Sequence, residues 1–452
     1  MDVELSRVPQ REVAMTPYEI LLSESQERML LVAARGREEE LRRIFAKWEL
    51  DAVEIGRVTA SGTLTARLRG QVVAHVPVNL LAEAPTYTKP IAPPAWLAER
   101  LAFDPLTLPE PTDYGEALLA LCASPTIASK EWAFRQYDQQ VGLNTLVLPG
   151  SDAAVLRVKG TSRALAVSTD GNGRHVFLDP RRGAAMAVSE AARNVSCSGA
   201  TPVGATDCMN FGSPERPEIL WQFAHAIDGI AEACRALEIP VVGGNVSFYN
   251  ETNGQAILPT PIIGVVGVLE DTGRRATQWF KASGHRVALL GPPHVSLGGS
   301  EFLWRAHRRL CGTLAPLDLE VERKVQAAVR AAVSAGLVTA AHDCAEGGIA
   351  VALAEGCVSG RGLVGCDAAL DTADRADQVL FGEGPSRVVV AVEPERVRAF
   401  EALMAESAIP WRWIGATGGD RLVLRRGTTT LVDVALDRIE GAWRGGFERH
   451  MA

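Results

Sequence analysis

The chain has 452 residues, 47% of them hydrophobic, with a formal net charge of −8; that length leaves room for roughly three domains and ample buried core. Its longest apolar runs, such as "IIGVVGVL" at 262–269, fall far short of the ~18 residues a membrane span needs, and the charged start "MDVELSRVPQREV" has no secretory apolar stretch, so no membrane segment and a cytoplasmic location are expected. An acidic balance without a basic–aromatic cluster excludes the electrostatic footprint of nucleic-acid binding, and eight cysteines without a C-x-x-C pair read as buried thiols rather than zinc ligands.

Near the start, "LSESQERMLLV" at 22–32 leads from an acidic turn into an apolar run expected to be a buried strand. An amphipathic helix follows, with Leu41, Ile44, Phe45 and Trp48 at i, i+3, i+4 and i+7. The same order recurs at "FGEGPSRVVVA", 381–391. Glu24 falls on Glu383, Arg28 on Arg387, Arg37 on Arg396, Ile55 on Ile414 and Gly56 on Gly415, a constant offset of 359 residues (383 less 24). A large unit is therefore expected to be duplicated, with the first copy lacking its front. That front piece, residues 1–84, is expected to carry an unpaired sheet edge and an exposed apolar face unless it is partnered.

Seven of the 25 prolines lie between Pro85 and Pro111, which rules out a continuous helix or central strand and predicts a linker over 85–112. A second domain is expected over 113–272. In it, "AVLRVKG" and "RALAVSTD" read as strands, "DGNGRHVFLDPRRG" as a Gly-rich loop, and 184–198 and 217–239 as helices flanked by the strands "PVGATD" and "PVVGGNVSF". A third domain, 273–452, alternates strand, Gly-rich turn and helix, which gives an α/β fold class.

Three loops follow apolar strands, where side chains and free amides converge in such folds. They supply Asp170, Asp207, and the group Gly243, Gly244, Asn245 and Ser247. Adjacent glycines admit a phosphate to backbone amides, and Asp and Asn oxygens suit Mg²⁺; turn chemistry and capping are the alternative. Glu190 and Asn194 are spaced i, i+4 and share a face of their helix. With Asp170 and Asp343 they could hold Mg²⁺ bridging nucleotide phosphates, or they could be a surface pair plus two N-cap aspartates. "LGGSE" at 297–301 is either a phosphate-facing nest or a helix start capped by Ser300. His342, beside Asp343, is the one histidine in a plausible site loop. No Walker or dinucleotide fingerprint is present.

"TPYEILLSESQERML", "DPRRGAAMAVSEAARNVSCSGATPVGATDCMNFGSPERPEILWQF", "GGNVSFYNET" and "LGGSEFL" together resemble phosphoribosylformylglycinamidine synthase in its smaller multi-subunit form. This is a glutamine- and ATP-dependent ligase of purine biosynthesis in the PurM-like superfamily, whose synthetase chain is a duplicated two-domain unit. The resemblance implies a partial C-terminal-like domain at 1–84, an N-terminal-like domain at 113–272 and a complete C-terminal-like domain at 273–452. It implies that Glu24, Ser25 and Gln26 contact formylglycinamide ribonucleotide, that Asp207 and Gly244 contact ATP, that Asn245 binds Mg²⁺ and that Ser247 contacts substrate. Asp170, Glu190, Asn194 and Asp343 resemble positions that hold an auxiliary nucleotide with magnesium in larger relatives. Partners implied are a glutaminase subunit, a small bridging subunit and the missing N-terminal half of the synthetase.

The family's two catalytic histidines have no counterpart here. "DGNGR" puts Asn172 at one position and "WAFRQY" puts Phe134 at the other; neither side chain accepts a proton at neutral pH, so no catalytic residue is assigned and turnover is expected to need the other half. Two other readings stand beside this one. The first is a non-catalytic nucleotide-binding scaffold. The second is a different PurM-like ATP enzyme, against which the "SESQ" segment and the duplication speak.

Overall fold

The computed structural model describes residues 1–10, 12–24, 28–83, 86 and 88–451. The chain divides into two compact units, Met1–Thr88 and Lys89–Ala452, and both mix helices with sheets, as the α/β reading expects.

The smaller unit is built on strands β1 (Asp2–Glu4), β2 (Gly56–Arg57), β3 (Thr63–Leu68) and β4 (Gln71–Pro77), in the order β2-β1-β3-β4. Helix Pro17–Leu22 starts at a capping box in which Thr16 and Glu19 satisfy each other's backbone N–H groups. Val3, Leu5, Ile20 and Ala66 make its small core.

The larger unit holds two sheets. The first runs β5-β6-β7-β12-β8-β9, from β5 (Thr145–Val147), β6 (Ala154–Arg157), β7 (Ala164–Asp170), β8 (Thr201–Asn210), β9 (Val241–Ser247) and β12 (Thr260–Leu269), with β10 (Glu251–Thr252) and β11 (Gln255–Ala256) as a separate short hairpin. Helices Pro180–Cys197 and Pro217–Ala236 pack on one face of this sheet through Ala187, Ala191, Val195, Ala226 and Ile230. The second sheet comprises β13 (Arg286–Leu290), β14 (Ala340–Asp343), β15 (Cys366–Ala369), β16 (Val388–Val392), β17 (Trp411–Thr417), β18 (Arg421–Arg426) and β19 (Thr429–Ala435), ordered β14-β16-β13-β17-β15-β18-β19.

The internal repeat is visible in this topology. The order β2-β1-β3-β4 reproduces β17-β15-β18-β19, including the one parallel pair, β1 with β3 and β15 with β18. Details recur as well. Arg67 pairs with Asp2 at 3.1 Å as Arg425 pairs with Asp367 at 2.9 Å. Gly56 and Gly415, at the same offset, both sit where a Cβ would collide with the neighbouring strand, 2.2 Å from the Asp2 carbonyl and 2.0 Å from that of Asp367.

Two expectations are corrected. The apolar run at 29–31 is not a buried strand: residues 28–35 are outside any strand, and Met29 and Leu31 are 83% and 52% exposed, whereas their counterparts Val388 and Val390 are fully buried in β16. The reason is pairing. β16 is hydrogen-bonded on both sides, to β13 and β14, whereas residues 28–35 pair with no strand among the described residues. The stretch read as a Gly-rich loop, 170–183, is mostly helical. Asn172 caps helix Gly173–Leu178 by accepting from the N–H groups of Arg174 (3.1 Å) and His175 (3.2 Å), and Asp179 caps the next helix in turn.

Candidate functional site

Four of the residues singled out in the sequence converge. Glu190 and Asn194, on one face of helix Pro180–Cys197, and Asp343, at the end of β14, line a cavity of about 250 Å³. Ser168 and Thr169 of β7 also line it, and Asp170 follows them at the strand end. The capping alternative fails here, because the helices after these aspartates start at Asn172 and Gly347.

The cavity is strongly acidic. Burial, with the charges of Glu346 and Asp343, pushes the Asp170 carboxyl up to about 8, and burial beside Asp170 raises Glu190 well above its usual range. Glu346 is raised by burial and by Glu383. Asp170 Oδ1 accepts the Gly171 N–H, while Oδ2 is buried without a hydrogen-bond partner. Sequence reasoning missed the counter-ion, Arg193. It donates to both Asp343 oxygens (2.5 and 3.2 Å) and through Nη1 to both Glu322 oxygens (2.9 and 2.8 Å). Its spacing of i+3 from Glu190 was the only available signal.

His342 closes another side of the cavity. Its Nδ1 meets Asp152 at 3.0 Å and its Nε2 meets Glu355 at 3.1 Å. Burial alone would lower its pKa, but the two carboxylates hold it well above the usual value, so it is an imidazolium donating from both nitrogens. Asp152 and Glu355 stand 190 and 13 residues from His342, and Asp152 carries no local pattern that would have marked it.

Among the described residues, no group of three or more His, Cys, Asp or Glu side chains is arranged to hold a metal ion by itself. A divalent cation fits this cavity as a shared guest. The unpartnered Asp170 oxygen and the excess of raised carboxyls would supply part of its oxygen ligands, with water or phosphate completing the shell.

A second cluster lies on the first sheet. Asp170, Ile263, Asp207 and Gly244 form one row across β7, β12, β8 and β9. Opposed residues share a face, so Asp170 and Asp207 project to the side of buried Ile263, two strands or roughly 10 Å apart. Asn245 and Ser247 pair with Cys208 and Asn210 along β9, whose residues 241–246 are exposed. Gly244 gives way to Asp207: a Cβ there would lie 2.6 Å from both Oδ1 and the carbonyl oxygen of Asp207. Ser247 Oγ donates to Asn250 Oδ1 at 3.2 Å.

Glu24 is exposed at the end of helix Pro17–Leu22 in the smaller unit, and Ser25 and Gln26 lie outside the described residues. Its repeat counterpart, Glu383, is buried and fully engaged. Glu383 accepts the N–H groups of Glu301 and Gly347 at 2.8 and 2.9 Å and meets His175 Nε2 at 3.1 Å. Asn172 donates to Glu346 at 3.0 Å while capping its helix, and Arg174 pairs with Glu301 at 2.7 Å. Ser300 is a buried helix cap accepting from Leu303, which decides the "LGGSE" question for capping.

This arrangement of domains has known relatives. Residues 150–269 match the family model for the AIR synthase related protein, N-terminal domain, and residues 1–69 and 282–426 match that for the C-terminal domain. The chain belongs to the AIR synthase related family. Within it, the chain is 51% identical over 460 aligned residues to phosphoribosylformylglycinamidine synthase subunit PurL of Anaeromyxobacter dehalogenans (strain 2CP-C), with 99% of this chain and 60% of the relative covered. It is 49% identical to the subunit PurL of Moorella thermoacetica, with 98% and 60% covered. The chain thus spans about three fifths of the length of the curated relatives it matches. Among solved structures, T. maritima PurL complexed with ADP aligns with a TM-score of 0.60 at 24% identity, covering 92% of this chain and 60% of that one, which shows the shared fold. The resemblance read from the motifs therefore holds. No helix among the described residues is long and apolar enough to cross a membrane.

Proposed function

We propose that this chain is the C-terminal portion of the synthetase of a phosphoribosylformylglycinamidine synthase, acting in the cytoplasm on formylglycinamide ribonucleotide, ATP and glutamine-derived ammonia. The observation that carries the reading is identity near 50% over 99% of the chain to proteins of that name. T. maritima PurL has been solved with ADP and with FGAR, which supports nucleotide and substrate binding in the family. In this reading the domains run 1–84, 113–272 and 273–452, joined by 85–112, and Asp207 and Gly244 hold ATP while Asn245 contributes an oxygen to Mg²⁺. Ser247, Glu24, Ser25 and Gln26 position the ribonucleotide. Mg²⁺, when bound, screens the charge of the transferring phosphoryl group. The partners are a glutaminase subunit, a small bridging subunit and the complementary part of the synthetase.

No proton acceptor is assigned to this chain, since Asn172 is spent on a helix cap and on Glu346. A second reading, a nucleotide-binding scaffold half, is favoured by the cavity itself, where Asp170, Glu190, Asn194 and Asp343 stand together without the histidines. Substrate-dependent ADP formation with Mg-ATP and high ammonium, run beside calorimetric titration of Mg-ADP, separates the two. The leading reading expects ADP formation only after the complementary part is added. Binding of Mg-ADP with no turnover in the reconstituted pair would leave the scaffold reading, and turnover by this chain alone would overturn the need for a second part.

A further inference from the structure

We infer that the larger unit carries a site for an uncharged nucleobase, free or as its nucleoside, in a cavity of about 180 Å³ bounded by Trp96, helix Pro217–Ala236 and the chain that follows β11. The cavity shares no lining residue with the acidic cavity, nor with the positions assigned above to ATP, Mg²⁺ and the ribonucleotide. It is therefore independent of the synthase reading.

One wall is aromatic. Trp96, just before helix Leu97–Ala102, stacks on Phe177 of helix Gly173–Leu178, with ring centroids 4.0 Å apart and planes within 8° of parallel. Arg100 lies 5.3 and 5.5 Å from the two centroids, so it sits beside the stack rather than over an outer face. The segment carrying Trp96 is tied to the domain where Ala92 N–H donates to the Pro217 carbonyl at 3.3 Å. The opposite wall is polar and incompletely paired. Gln222 is 2% exposed, and its amide reaches the Phe177 carbonyl only at 3.5 Å, while nothing among the described residues donates to its Oε1. The Leu258 N–H also has no acceptor among the described residues. Burying an amide is costly unless it is paired. Here a donor and an acceptor stand beside an aromatic wall, the complement of a flat heterocycle with a hydrogen-bonding edge.

Charge and size narrow the ligand. The two charged lining residues, Arg216 and Glu218, pair with each other at 2.9 and 3.0 Å, which leaves no counter-ion for a phosphate. The volume is also well below the ~300 Å³ at which drug-sized pockets begin. One ring system fits, and a whole nucleotide does not.

The full chain is titrated with adenine, adenosine and uridine by saturation-transfer NMR and calorimetry, first without metal and again with saturating Mg-ADP. At least one probe should bind with a dissociation constant below about 10 mM, and Mg-ADP should change it by less than about twofold. Gln222→Leu removes the amide at nearly constant shape, and Ile257→Trp, at a position 43% exposed, fills the mouth without entering the core. Each should weaken binding at least about tenfold. An unchanged melting midpoint for Ile257→Trp shows that the fold survives, so its result stands even if Gln222→Leu fails to fold. Displacement by Mg-ADP would assign the probe to a nucleotide site, and binding that survives both substitutions would place it elsewhere. Either result overturns the inference, as does the absence of binding by all three probes.

Discussion

Gly243 and Gly244 are neighbours on one edge strand, yet only one of them is demanded by its surroundings. A methyl at Gly243 meets nothing within 4 Å, whereas one at Gly244 strikes Asp207. Gly244→Ala should therefore cost about 1–3 kcal/mol through overpacking and displace the Asp207 carboxylate, while Gly243→Ala stays within about 0.5 kcal/mol of the parent; urea denaturation of both variants measures this. Asp170 makes a different prediction. Its folded pKa of about 8 lies above that of an unfolded aspartate, so the folded state keeps a proton that the unfolded chain has released. Its contribution to stability is full below about pH 4 and is lost as pH rises towards 8, with a slope of up to about 1.4 kcal/mol per pH unit for one proton. Asp170→Asn should flatten that slope between pH 5 and 8, and Mg-ADP should stabilise the parent more at pH 8 than at pH 6, as thermal melts would record. A parent whose stability is level across this range would count against the acidic cavity as described.

Helix Gly173–Leu178 replaces what the glycines of "DGNGR" suggested was a loop, and it depends on one side chain. Asn172→Ala removes the cap and should cost about 1 kcal/mol. Asn172→Asp keeps the cap but turns the donor facing Glu346 into a second carboxylate, so its deficit should grow as pH rises through the range in which Glu346 ionises. Urea midpoints of the two variants compared across pH test this; equal and pH-independent losses would mean that the Glu346 link is immaterial. The strands "RALAVSTD" and "PVVGGNVSF" and the two long helices were legible because period and capping residues agree locally. The helix after Asn172 was not, because a cap residue among glycines carries no periodic signal.

The molecule's two units differ in how much they bury. Beside the large cores of the unit Lys89–Ala452, the unit Met1–Thr88 gathers four buried apolar side chains among its described residues. Limited trypsin digestion should cut first at exposed Arg28, Arg35 or Arg37 and leave a resistant product close to residues 89–452, and denaturant should unfold the chain in two steps. Mass spectrometry of the first products decides the matter, and an initial cut within 150–270 would contradict it. Local chemistry was enough to reveal the repeat, strands such as β7 and β9 with the two long helices between them, and the candidate residues Asp170, Glu190, Asn194 and Asp343, since each depends on spacing along the chain. Three things waited for the folded molecule. The Arg193 bridge to Glu322 and Asp343, the His342 imidazolium held between Asp152 and Glu355, and the exposure of 29–32 all depend on which distant segments meet or fail to meet. Spacing is a property of neighbours in sequence, whereas burial and charge balance are set by neighbours in space, and an apolar strand is buried only where other strands exist to pair with it.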